Sequence, residues 1–184
     1  MQGITKNEWG EIVRLLAKNP LPVPEPLIGD FDNWLCRSYA GRALYASGDI
    51  ENALMVLATV IDVEPNLTDK PQEGFSECEH KILCLMDLAE IIWSLAKNAE
   101  AAVRYIDDAI NLCQKFTGEF LIADEAKCEV RRWEILLANG QKDAEEKLAQ
   151  AKLKLKPKKE QEKLSIYEVR RRNYKNPGIE LPKI

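Results

Sequence analysis

Three times along this chain an apolar stripe of helical period stops at a short turn signal and then resumes. The signals are Gly48-Asp49, Asn98 and Asn139-Gly140. Before the first, Trp34, Leu35, Ala40, Ala43 and Leu44 share a face that starts at Asp32, a candidate N-cap. After it, Ile50, Ala53, Leu54, Leu57, Val60 and Ile61 continue to Pro65. Ser76 and Glu79 make a capping box for Ile82, Leu83, Met86, Ala89, Ile92, Trp93 and Ala96, and past Asn98 come Ala102, Val103, Ile106, Ala109, Ile110 and Cys113, with Gly118 as the stop. The third pair begins near Glu119 with Phe120, Ala123, Ala126, Val130, Trp133 and Leu137, and returns through Ala144, Leu148, Ala151 and Leu155 to Pro157. Apolar residues at i, i+3, i+4 and i+7 mark amphipathic helices, and so short a connection sends the second helix back along the first. Gly48 is expected to take the left-handed conformation that closes a helix, and Asp49 to cap the next. The fold class expected is all-α, with three helix hairpins at its centre.

Composition agrees. Ala, Leu, Glu and Lys are plentiful while period-2 alternation is scarce, which favours helix over strand. With 46% hydrophobic and 30% charged residues in 184, the chain suits one globular domain and neither a disordered nor a fibrous class. The most apolar window, "ILCLMDLAEIIWSLA", contains Asp87 and Glu90 and falls short of the ~20 apolar residues a bilayer requires, so it is expected as a buried helix and no membrane is expected as a partner. Five cysteines (Cys36, Cys78, Cys84, Cys113, Cys128) form no close pairs, and no apolar leader follows Met1. A reducing, cytoplasmic setting is the expectation.

The two ends differ from the middle. Thr5 and Glu8 form a capping box ahead of Trp9, Ile12, Val13 and Leu16, which predicts a helix over 6–18. Pro20, Pro22, Pro24 and Pro26 then forbid helix and favour an extended surface linker. At the other end, residues 147–184 hold twelve Lys or Arg against four Asp or Glu, a net +8, which leaves −12 on the rest of a chain whose total is −4. The organisation expected is an N-terminal helix at 1–18, a Pro-rich linker at 19–31, the hairpin domain at 32–157, a basic capping helix at 158–176 and a tail at 177–184.

The first hairpin resembles a tetratricopeptide repeat (TPR), whose pattern runs W-x2-L-G-x2-Y, A-x3-F, P. Those places hold Arg37, Ala40, Gly41, Leu44, Ala53, Leu57 and Pro65. Gly41, Ala53 and Pro65 match strictly; Leu44 and Leu57 keep apolar character. Ala102, Ile106 and Ala109, and then Ala144, Leu148 and Ala151, repeat the spacing at intervals of 49 and 42 residues, longer than the motif's 34. The resemblance covers about 32–157 and implies a right-handed TPR-like solenoid with extra helices at both ends; an irregular helical bundle is the alternative. It further implies a concave groove, lined by the first helix of each hairpin, that receives a peptide or helix of a protein partner. Arg42, Tyr45, Asp87, Ile91, Glu129 and Trp133 fall at groove positions, although Ile91 and Trp133 equally suit core packing. The family's version that clamps chaperone C-termini through Lys, Asn and Arg is not matched, since Ser38, Asp87 and Glu129 stand at those places.

Other chemistry is thinly represented. His80, the one histidine, would share a helical face with Cys84, with Cys78 nearby, but C-x-H-x3-C is not a zinc spacing and a fourth ligand would have to come from Cys113 or Cys128. Buried cysteines acting as small hydrophobes and a surface histidine are expected, with no metal. No G-x-S-x-G, P-loop or dinucleotide glycine pattern occurs, and Asp107-Asp108 and Glu145-Glu146 read as solvated faces. No enzyme and no cofactor are expected. Arg170, Arg171, Arg172 and Lys175, with Tyr167 and Tyr174, form a basic patch that suits a nucleic-acid backbone. The acidic body would repel nucleic acid, so docking on the body of the same chain, or of a second copy in a homo-oligomer, is the competing reading. The function expected is a non-catalytic protein-interaction module, an adaptor or scaffold; the alternatives are a nucleic-acid-associated protein and a homodimerising structural module.

Overall fold

Six of the helices described below start where a side chain takes up an amide of the first turn, and the last starts at Asp143 without such a bond. In the structure, a computed structural model that describes residues 4–18, 28–68, 76–117 and 124–155, the described residues form seven α-helices and no strand. α1 (Lys6–Ala17) begins at the Thr5–Glu8 capping box, the Glu8 carboxylate accepting from the Thr5 amide at 2.7 Å. α2 (Trp34–Ala46) begins at Asn33, which accepts from the Leu35 amide at 3.0 Å. Asp32, expected in that role, instead binds Lys6 across the surface. α3 (Ile50–Ala58), α4 (Glu77–Ala96), α5 (Ala99–Lys115) and α6 (Glu125–Ala138) begin at Asp49, Ser76, Asn98 and Asp124, each accepting from an amide of its own first turn. α7 (Ala144–Lys154) closes the series.

Two of the turns rest on glycine. Gly48 (φ +86°) donates to Tyr45 O and Asp49 to Leu44 O; Gly140 (φ +85°) donates to Leu137 O and Gln141 to Leu136 O. Both are Schellman endings, which satisfy the last carbonyls and reverse the chain. Between α4 and α5 the left-handed residue is Lys97 (φ 50°), whose ammonium lies over the Trp93 ring. The turns fold α2 on α3, α4 on α5 and α6 on α7, while α5 also lies against α6, and α4 touches both α2 and α3.

Two cores result. One gathers Trp9, Ile12 and Leu16 of α1 with Leu44, Val56, Leu57 and Leu88, and Phe31 sets its ring edge-on to Trp9. The other gathers Ile82, Leu85 and Ala89 with Ala102, Ile106, Cys128 and Ile135. α4 serves both.

The chain departs from expectation in two helices. α3 stops at Ala58 rather than Pro65, so Val60 and Ile61 lie beyond it. Thr59 Oγ1 donates to Val56 O at 2.7 Å and accepts from Arg37, and Lys81 of α4 donates to the carbonyls of Val60 and Ile61. Lys81 thus satisfies carbonyls that lie past the end of the helix. α6 buries Ala126, Cys128 and Ile135, whereas Val130 and Trp133 are half-buried and Leu137 is 40% exposed. Packing against α5 on one side and α7 on the other rotates its buried face away from the expected stripe. The prolines at 20–26, Gly118, Glu119, Phe120, Ala123, Pro157, the basic segment and the tail lie outside the described residues.

At Gly41 the first hairpin leaves no room for a side chain. A Cβ there would stand 2.7 Å from Leu57 Cγ and Cδ2 and 3.3 Å from the Leu57 amide nitrogen, whereas a Cβ at Gly10 would meet nothing within 4 Å. Gly41→Ala is therefore expected to lower the unfolding free energy by about 1–2 kcal/mol, overpacking outweighing the helix-propensity gain. Gly10→Ala is expected to raise it by roughly 0.5–1 kcal/mol. Denaturant titration of both variants checks the pair; a stabilising Gly41→Ala would refute the close approach.

Candidate functional site

α2, α4 and α6 are the first members of their pairs, and polar side chains tie them to one another. Asp87 and Glu90 lie one turn apart on α4, as Arg131 and Glu134 do on α6, so each couple shares a helical face. Arg42 of α2 donates from Nε to Asp87 Oδ2 at 2.8 Å. Arg131 meets Glu90 through both Nε and Nη2, the latter 2.7 Å from Oε2, and its Nη1 reaches Glu134 at 3.1 Å. Such a two-point guanidinium–carboxylate contact fixes geometry as well as charge. The result is a ladder from α2 through α4 to α6.

Burial sets the electrostatics of this ladder. It lifts the Asp87 carboxyl above its ordinary range, against the pull of the Arg42 guanidinium. Burial, then Glu90 and Asp87, push up the phenol of Tyr45, while Arg131 opposes them. The hydrogen bond to Glu90 raises Arg131 further. Arg42 is 9% exposed, and its Nη1 is buried without a partner among the described residues.

The six expected groove residues take different places. Arg42 and Asp87 are brought together and bind each other; Tyr45 is half-buried beside the ladder. Ile91 is fully buried in the first core and offers no surface. Glu129 binds Lys154 of α7 at 2.8 Å, and Trp133 lies under Arg132 and Lys147. Glu90, Arg131 and Glu134 were not among the expected residues, although their i, i+3 spacing is visible in the sequence. Arg170, Arg171, Arg172 and Lys175 lie outside the described residues.

His80 is 2% exposed, which corrects the expectation of a surface histidine. Its face of α4 turns toward α2, placing Nδ1 3.4 Å from Ser38 Oγ and the ring edge-on to Tyr39. Cys78 Sγ donates to Leu112 O, and Cys84 is enclosed in the first core. Among the described residues no three His, Cys, Asp or Glu side chains are placed to hold a metal ion. All five cysteines are buried thiols; burial pushes Cys84 up to about 11, and Cys113 is raised first by its contact with Cys128. Thiols so placed are poor nucleophiles.

Compared with models of protein families, with curated proteins and with solved structures, the chain matches none. Function is therefore read from the site itself.

Two outcomes follow from burial here. Arg42→Met leaves Asp87 without a cation and should cost about 3–5 kcal/mol near neutral pH, whereas Arg42→Met with Asp87→Leu should recover most of that loss. The single variant's deficit should shrink on acidification, since a protonated Asp87 needs no cation. Chemical unfolding of both variants at several pH values measures this, and equal stabilities would contradict it. For Cys84 the folded pKa lies above the ordinary value of 9.0. Its contribution is thus complete below that value and lost as pH rises through about 11. Wild type should lose about 2–3 kcal/mol more than Cys84→Ala across that interval, at 1.36 kcal/mol per pH unit. Parallel pH profiles of the two proteins would rule this out.

Proposed function

We propose that this chain is a non-catalytic protein-interaction module, an adaptor or scaffold whose hairpins stack as a TPR-like right-handed array. The observation that supports this most is the ladder Arg42–Asp87, Glu90–Arg131–Glu134, because it joins the first helices of three successive pairs along one line of side chains. A surface made from such helices would present half-exposed rings, Tyr45 foremost, among oriented hydrogen-bonding groups. That mixture suits an extended peptide or helix held by a few apolar anchors within a polar rim. Of the six residues expected from sequence, Tyr45 stays a contact residue with Arg42, Asp87 and Ile91 as its support, Glu129 and Trp133 turn toward α7, and Glu134 joins Tyr45 as a contact residue from the ladder. Buried thiols suit a reducing compartment such as the cytoplasm.

Affinity capture from the native source with the full chain tests this reading, using Tyr45→Ala, Glu134→Lys and, as a control, Leu153→Glu, which alters an 87% exposed side chain on α7. A retained protein should be lost at least tenfold, about 1.4 kcal/mol, with either of the first two variants and kept by the third, all three unfolding cooperatively. Recovery of nucleic acid that disappears at moderate salt and with Arg170→Ala, Arg171→Ala and Arg172→Ala would overturn it. So would a mass that doubles with concentration and no other protein retained.

A further inference from the structure

A groove of about 460 Å³ opens between the first half of α5 and the end of α6. Ala99, Val103 and Leu136 supply its apolar lining, and Glu100, Asp107 and Asp108 its acidic edge. The cations at hand leave that edge negative. Arg104 reaches Glu100 only at 3.6 Å with both side chains largely exposed, Arg132 takes Asp107 at 2.5 Å, and Asp108 is exposed.

The opposite charge sits on the remainder of the same chain. Residues 156–184 carry nine Lys or Arg against four Glu, a net +5, so residues 1–155 carry −9 of the total −4. The segment also leaves the described helices at a defined point. Leu155 ends α7, where Lys154 binds Glu129 in the first half of α6. From Glu129 to Leu136 and Asn139 is seven to ten residues of helix, roughly 10–15 Å at the helical rise. The fifteen residues from Leu155 to Arg170 span up to about 50 Å when extended. A tether of this reach holds the basic segment at an effective concentration on the order of millimolar, ahead of any second copy at ordinary dilution.

We propose that residues 163–175 dock in this groove within the same molecule, setting Arg170, Arg171 and Arg172 against its acidic edge, Glu100 and Asp108 foremost, with a tyrosine of the segment over Val103 and Leu136. This contact is separate from the ladder face of α2, α4 and α6, and does not depend on the function proposed above.

Zero-length carbodiimide coupling of the full-length chain, read by peptide mass spectrometry, is the test. Amides joining Lys163 or Lys175 to Glu100, Asp107 or Asp108 are expected in the monomeric species, and are expected to be lost at about 0.5 M salt, where the Debye length falls to roughly 4 Å. They should vanish with Arg170→Glu, Arg171→Glu and Arg172→Glu. Adding Glu100→Lys and Asp108→Lys to that triple variant should restore coupling with the roles reversed. Amides found only in a dimeric species would assign the groove to a second copy's segment and overturn the proposal. Coupling of these lysines only to other carboxylates, or none at all, would do so as well.

Discussion

The structure depends on α4 being buried along two sides. Cys84, Leu88 and Ile91 enter the first core, and Cys78, Ile82, Leu85 and Ala89 enter the second. A helix with apolar residues around so much of its circumference is stable only between neighbours. The pair α2–α3 on one side and α5 on the other are those neighbours, α6 joining through the second core, so the two cores form around one element. Its polar side chains are fitted to the same end: Lys81 fills the carbonyls left where α3 stops, and Asp87 answers Arg42. Burying these charges without partners would cost several kcal/mol each. The partners therefore restrict which faces of α2 and α3 can meet α4.

Features governed by nearby residues were legible in the sequence. The Thr5–Glu8 box, the Asp49 and Asn98 caps and the left-handed Gly48 each involve groups within a turn, so residue type and spacing decide them. Features decided by distant partners were not. Asn33 displaces Asp32 as the cap of α2 while Asp32 meets Lys6, twenty-six residues away. Lys81 of α4 meets the carbonyls past the end of α3, and two flanking helices pack on α6. Periodicity fixes that a stripe exists; which side of a crowded helix is deepest depends on packing.

The candidate site shows the same division. Arg42 and Asp87 were placed on helices that do adjoin, but a surface reading of residue type could not say that they would bind each other. A buried guanidinium and a half-buried carboxylate 2.8 Å apart are engaged with each other, and what they supply is register between α2 and α4. Ladder members nearer solvent, Glu90, Arg131 and Glu134, carry that register on to α6. The burial of His80 was not legible because its neighbours Ser38 and Tyr39 come from another helix.

Electrostatics thus does two different jobs in one chain. Ladder pairs lie in partly desolvated surroundings, where salt screens weakly and geometry is fixed by packing. The edge of the α5–α6 groove is solvated, its Arg104–Glu100 pair loose at 3.6 Å, and contacts there add little stability. A charged segment attracted to such a groove would come and go with ionic strength while the ladder held. The excess negative charge on residues 1–155 is therefore better understood as controlling what reaches the surface than as holding the helices together.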